Sequence, residues 1–309
     1  MVERVKGAWL CLFLFLLAAL IPSPACGEIS VVAGIDPVAS LVKEIAGEGI
    51  RVIRLYPPGA SPRSAEASRE ALRESAGALL YFRAGRWLEG RDEKRVTEAA
   101  GPLLSIVDLS GNLDLIALSK PEETERKIFT SALGLDEASV PAEKNPYFWL
   151  DPTLAEKAAT TIAARLAEIA PGEADALRER SRRLRERLAE LNREIQERLE
   201  PVEKRRMAVF TGAASYFARR YTIAEIPVTG VTPGGGPGRQ SLKGTVERLR
   251  SLGVSSVFTD PSFPRRPAES AAAKAGVTLL TLHPFGTPEH RGYFDMMRLN
   301  LSIIEEGSR

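Results

Sequence analysis

The chain has 309 residues, 44% of them hydrophobic and 27% charged, a globular composition with room for two domains that excludes a disordered or wholly membrane-embedded chain. Lysine and arginine number 42 against 40 acidic residues, so no excess of positive charge argues for nucleic acid. Two cysteines and two histidines, His283 and His290, exclude a four-cysteine zinc module, one that pairs two cysteines with two histidines, and any three-histidine metal site.

Residues 1–25 read as a secretory signal: Arg4 and Lys6 precede an apolar run over 8–21, and Ser23, Pro24 and Ala25 offer small residues for cleavage. The run is short for a transmembrane helix. Cys26 follows at once, which fits a lipoprotein cysteine, although Ser23 stands where such signals usually carry leucine. Lipidation and plain cleavage both remain open, and either places the mature chain outside the cytoplasm. Cys11 leaves with the signal, so no internal disulfide can form.

In chain order, residues 29–33 form a β-branched strand, 38–45 a helix and 52–55 a second strand stopped by Pro57-Pro58-Gly59. A helix over 65–76 and strands over 78–82 and 103–107 follow, and 120–144 is a polar surface excursion. Residues 153–169 are helical up to Pro171-Gly172. From Glu173 a longer helix carries Leu177, Leu184, Leu188, Leu191, Ile195 and Leu199 on one stripe until Pro201, roughly 40 Å of strut. The pattern runs under about four heptads, so an internal strut is preferred to a coiled-coil partner surface. Beyond it come strands over 207–210, 254–259 and 277–282, and helices over 213–220, 242–252, 268–275 and 293–305, with a Pro/Gly-rich loop at 228–238. Strands alternating with helices mean parallel sheets. The reading is an α/β protein of two lobes, 27–172 and 201–309, bridged by one rigid helix over 173–200, with a ligand cleft between the lobes.

Catalytic motifs are absent: there is no Gly-x-Ser-x-Gly elbow and no His-Glu-x-x-His, and Arg239-Gln240 stands where a phosphate loop needs Gly-Lys-Ser/Thr. His290, in Pro288-Glu289-His290-Arg291, reads as solvated surface, and Trp87 and Trp149 as packing residues. The arginines over 178–187 alternate with glutamate, as a solvated helix face does.

Six landmarks in order carry a resemblance. They are Tyr56-Pro57-Pro58-Gly59-Ala60, the run from Asn145-Pro146-Tyr147 to Asp151-Pro152, and Phe210 to Phe217. Gly230-Val231-Thr232-Pro233, Thr259-Asp260-Pro261 and Leu282-His283-Pro284-Phe285-Gly286 complete them. Over nearly the whole mature chain the sequence resembles the solute-binding receptors of zinc and manganese ABC importers. The resemblance implies two α/β lobes on a rigid helix, a cargo of zinc or manganese, and no catalysis. It also implies a membrane permease with its ATPase as partners, and membrane contact only through the signal or a lipid anchor. The chain is expected to be a monomer.

In such receptors four metal ligands, mostly histidine with glutamate or aspartate, fall at four of these landmarks. Here the matching positions hold Arg63, Tyr147, Thr211 and His283, and every one departs from the usual ligand. The histidine-rich loop of some zinc receptors is missing, and the loop after Gly230 carries glycines in place of acidic residues. Arginine has no lone pair to give. Held about 4 Å from a divalent ion it would repel it by about 8 kcal/mol at an effective dielectric near 20. Threonine is a weak neutral ligand, and tyrosine ligates as phenolate. His283 and Asp260 are the ordinary ligands left.

The divalent site is therefore expected to be lost, with no certain cofactor. Two readings of what replaced it stand. Arg63, Tyr147, Thr211 and His283, with the helix start at Gly212, offer donors to a carboxylate or oxyanion. Alternatively the receptor lost its cargo and survives as a surface scaffold, with Arg63 paired to Asp260. A ferric site from Tyr147, His283 and Asp260, and a secreted hydrolase using His283 with Asp260, rank below these.

Overall fold

The computed structural model describes residues 28–117, 144–203, 205–228, 239–261 and 263–308. The signal, Cys26, nearly all of the polar excursion and most of the Pro/Gly-rich loop lie outside them.

The first half forms a parallel sheet in the order β2-β1-β3-β4 from β1 (Ser30–Ala33), β2 (Arg51–Arg54), β3 (Leu80–Arg83) and β4 (Ser105–Asp108). Val31 pairs with Val52 on one side and Leu80 on the other, so the most buried β-branched strand is central. The second half repeats the plan in the order β6-β5-β7-β8, from β5 (Arg206–Val209), β6 (Ala224–Pro227), β7 (Ser256–Thr259) and β8 (Thr278–Thr281). In each sheet the chain reverses direction beside the first strand, which opens a crevice at the carboxyl ends of the strands.

Helices cover these sheets: α1 (Asp36–Ala46), α2 (Arg69–Glu74), α3 (Arg86–Glu89), α4 (Glu93–Ala100) and α5 (Pro152–Ile169) in the first half. α6 (Ala174–Leu199) is the strut, followed by α7 (Ser215–Arg220), α8 (Arg239–Leu252), α9 (Arg265–Ala275) and α10 (Tyr293–Gly307). Local chemistry sets the ends. Asp151 accepts from Thr153 N–H at 2.9 Å with Pro152 opening α5, and Ser68 accepts from Ala71 N–H at 3.0 Å to start α2.

The strut buries the anticipated leucine stripe together with Ser181, whose hydroxyl donates to Ala159 O at 3.3 Å. Each such leucine contributes roughly 1.5–3 kcal/mol of burial. Arg198 pairs with Glu305 at 2.6 Å, Glu194 with Arg298 at 2.7 Å and Arg187 with Glu44 at 2.6 Å, so the strut is tied to α10 and to α1. The last helix also reaches across: Tyr293 OH donates to Trp149 O at 2.7 Å, and its N–H donates to Ser40 Oγ at 3.0 Å.

Three expectations differ in detail. The helix over 65–76 shortens to Arg69–Glu74, because Ser64 and Ala65 N–H bond back to Ser61 O at 3.0 and 2.8 Å in a turn. α3 escapes the sequence pattern because a single turn is too short to show a period, although it buries Trp87, Leu88 and Glu89, and α4 because its polar run buries only Val96 and Ala100. β6, Ala-Glu-Ile-Pro, is an edge strand whose charge and closing proline hide its strand character.

Candidate functional site

Three of the five candidate residues sit at the carboxyl edge of the second sheet. Thr211 follows β5, Asp260 directly follows β7 and His283 lies just beyond β8. Asp260 is 1% exposed, and Thr211 Oγ1 donates to its Oδ2. Half-buried His283 is held by its backbone: its N–H donates to Asn300 Oδ1 at 2.7 Å and its carbonyl accepts from Asn300 Nδ2 at 3.0 Å. Burial is the main cause that pushes the His283 imidazole below its ordinary range, with His290 adding to it and Asp260 opposing. The shift favours the neutral imidazole, which can still donate one N–H. His290 itself is exposed and bonded to Thr287, as the sequence suggested. Thr211 occupies the position before a short 3-10 turn, Gly212–Ala214, and makes no side-chain cap bond there; its hydroxyl is turned to Asp260 instead.

The other two candidates come from the first half. Arg63 lies in the turn after β2, half-buried, with its guanidinium 5.3 Å from the centre of the Trp87 ring. The same turn is bound to the second half through Gly59, whose N–H donates to Phe285 O at 3.0 Å. Gly59 has φ +78°, and a Cβ there would meet Gly286 O at 3.1 Å, so glycine alone allows this approach. Tyr147 is 5% exposed, with its ring 5.3 Å from Trp149 and 5.9 Å from Phe285. Asn145 fixes this segment: its Oδ1 accepts from Tyr147 N–H at 2.9 Å and its Nδ2 donates to Gly212 O at 2.7 Å. Tyr216 OH donates to Asn145 O at 2.7 Å.

The structure thus joins Thr211 directly to Asp260 and places His283 within electrostatic reach of that carboxylate. It links the segments of Arg63 and Tyr147 to the His283 loop through Phe285. Among the described residues no group of three or more His, Cys, Asp or Glu side chains is placed to hold a metal ion.

Two features went unnoticed in the sequence. Trp87 is a packing residue, 6% exposed with Nε1 donating to Lys144 O at 3.1 Å, and it is also the platform beneath Arg63. Phe210 and Phe263 stack at 5.0 Å beside Thr211 and Asp260. The signal for the first was Trp87 directly after a strand and a Gly-Arg step; the second pair is too distant in sequence to be read.

Comparison with known proteins agrees with this architecture. Residues 31–307 match the profile of the family described as zinc-uptake complex component A, periplasmic. The high-affinity zinc uptake system protein ZnuA of Yersinia pestis is 27% identical over 292 residues, covering 91% of each chain. The manganese ABC transporter substrate-binding lipoprotein ScaA of Streptococcus gordonii is 24% identical over 287 residues, covering 91% of this chain and 89% of its own. A crystal structure of ZnuA superposes with TM-score 0.74 at 24% identity, covering 92% of this chain and 100% of that one.

Proposed function

The chain belongs to the zinc-uptake complex component A family of ABC-importer substrate-binding proteins, and from that premise we propose an extracytoplasmic receptor whose cleft has lost the divalent-metal site and receives an anionic group at Arg63. The family's members bind and deliver solutes and are not enzymes. A permease and its ATPase in the membrane are the partners to which the cargo passes. The anchor, if cleavage leaves Cys26 at the new terminus, is a lipid. Its support is the position of Cys26 behind small residues and the name of the streptococcal relative as a lipoprotein.

One observation carries the reading. The four landmark positions supply one imidazole, two hydroxyls and a guanidinium, and no described cluster of three ordinary ligands compensates. Zinc needs three or four nitrogen, sulfur or oxygen ligands. On this reading Arg63, Tyr147, Thr211 and His283 supply donors to the cleft beside the buried Asp260 carboxylate, which already accepts from Thr211 Oγ1. Arg63 brings a permanent positive charge, whereas burial holds the His283 imidazole below its ordinary range. A planar guanidinium laid on an indole face presents its N–H edge to a carboxylate or oxyanion.

A thermal-shift screen of small carboxylates and oxyanions on the wild type and on Arg63→Ala tests this. The expected result is an anion that raises the wild-type midpoint by mass action and leaves the variant unmoved. A wild type that no anion stabilises, with a variant markedly destabilised when empty, would leave the ligand-free scaffold latched by Arg63 as the reading to keep.

A further inference from the structure

Glu89 is a buried titratable group that cargo binding does not employ directly. It ends α3, the one-turn helix that carries Trp87, and it is 0% exposed. Its Oε2 accepts the N–H groups of Ala84 at 2.5 Å and Gly85 at 3.4 Å, the two residues that turn the chain from β3 into that helix. The rest of the carboxyl fills the place of a side chain at Gly34, where an added Cβ would lie 2.7 Å from Glu89 Cδ. It therefore lies over the carboxyl ends of β1 and β3, at the point where the strand order reverses.

No cation pairs with it among the described residues. Arg83, 7% exposed on β3, is committed to Glu93 at 2.7 Å and Asp108 at 3.3 Å. Arg95 holds Asp92 at 2.6 Å, and Arg91 donates to Ala65 O. The other groups around the carboxyl are acidic or neutral. Tyr81 comes from β3, Tyr56 from the end of β2, Asp92 from the 3-10 turn after α3 and Asp108 from the end of β4. Glu89 Oε1 and Tyr81 OH are both buried without a hydrogen-bond partner among the described residues. An ionised carboxylate in such a setting is an unpaired buried charge, which costs several kcal/mol and is avoided by keeping the proton.

We propose that Glu89 is a positioning residue held in the protonated form, which fixes the Ala84–Gly85 turn and with it the Trp87 platform on which Arg63 lies, and that loss of its proton loosens that platform. The functional half of this statement rests on the reading of Arg63 as the cargo donor; the proton and the platform do not. Burial, the leading cause, raises the Glu89 carboxyl to about 8, with the Ala84 N–H and Arg83 opposing. The folded chain therefore keeps this proton to higher pH than the unfolded chain does. Stability falls as pH rises from the ordinary carboxylate range to about 8 and is level above it.

The test is a pH titration of the mature protein followed by tryptophan emission and by urea midpoint, for the wild type and Glu89→Gln. The wild type should show an emission transition centred near pH 8 together with a falling urea midpoint. Glu89→Gln, which keeps an oxygen for Ala84 N–H and cannot ionise, should show neither. A transition unchanged in Glu89→Gln, or a wild type without one between about pH 6 and 9, would overturn the proposal. Should that variant fail to fold, infrared spectroscopy of the wild type decides. A protonated carboxylic acid band present at pH 7 and lost on alkalinisation is expected, and no such band at pH 7 refutes the proposal. If no anion stabilises the wild type in the Arg63 screen while this titration appears, the cargo reading fails and the role of Glu89 in the platform stands.

Discussion

Gly34→Ala is the sharpest test of how the first lobe builds the floor beneath Arg63. Gly34 is buried at the end of β1, with its N–H donating to Phe82 O at 3.0 Å. Its backbone lies outside the left-handed region, so the substitution acts through space and not through backbone strain. The new methyl would fall on the Glu89 carboxyl, which has no slack because it is fully buried and bonded to Ala84 N–H at 2.5 Å. Moving it away orphans that buried amide, at about 1–3 kcal/mol, and overpacks the site, at about 1–3 kcal/mol more. The expected loss is roughly 2–6 kcal/mol, which lowers the thermal midpoint by about 5–20 °C in a chain of this size. Glu89→Ala empties the same space, so the double variant should be more stable than the sum of the two single losses by about 2 kcal/mol or more. Urea unfolding of the four proteins, followed by circular dichroism, measures the cycle. A Gly34→Ala loss under about 0.5 kcal/mol, or additive losses, would refute the packing argument.

Other substitutions probe the second lobe, the strut and the cleft. Thr211→Val removes the hydroxyl that Asp260 accepts, leaves a buried carboxylate one donor short, and should cost about 1–3 kcal/mol by urea unfolding. Leu188→Ala on the fully buried stripe of α6 should cost about 2–5 kcal/mol, whereas Arg183→Ala on its solvated face should cost under about 0.5 kcal/mol. His283, with its folded value below the ordinary value near 6.5, contributes stability at higher pH that is lost as pH falls through that value and below. His283→Gln should therefore flatten the decline of the thermal midpoint on the acid side. The triple variant Arg63→His, Tyr147→His, Thr211→His offers four imidazoles with His283, and calorimetry should find zinc binding regained.

How much of this was legible depended on the length of chain over which a signal repeats. The strut was plain, because Leu177, Leu184, Leu188, Leu191, Ile195 and Leu199 keep one phase for its whole length. The parallel sheets followed from β-branched runs alternating with helices, although the two halves share a strand order without sharing a visible sequence repeat. α3 and β6 were lost because four residues carry too little periodicity, and the turn into α3 is fixed by the bond from Ala84 N–H to Glu89, which no repeating pattern announces. At the site, residue types alone announced that Arg63, Tyr147 and Thr211 are poor metal ligands and that His283 and Asp260 are the ordinary ones left. The Thr211–Asp260 bond, the Trp87 platform and the downward push on the His283 imidazole were not legible, because each arises from residues brought together by the fold or from burial.

The claim that the cleft has lost its divalent site is tested most directly by calorimetric titration of the mature protein with zinc and with manganese, at neutral pH in a buffer free of phosphate. With Arg63, Tyr147 and Thr211 where ligands would stand, and no described cluster of three ordinary ligands, neither ion should bind at submicromolar concentration. Stoichiometric submicromolar binding of either ion would show that Arg63 leaves the cleft and that other groups ligate, and would contradict the account.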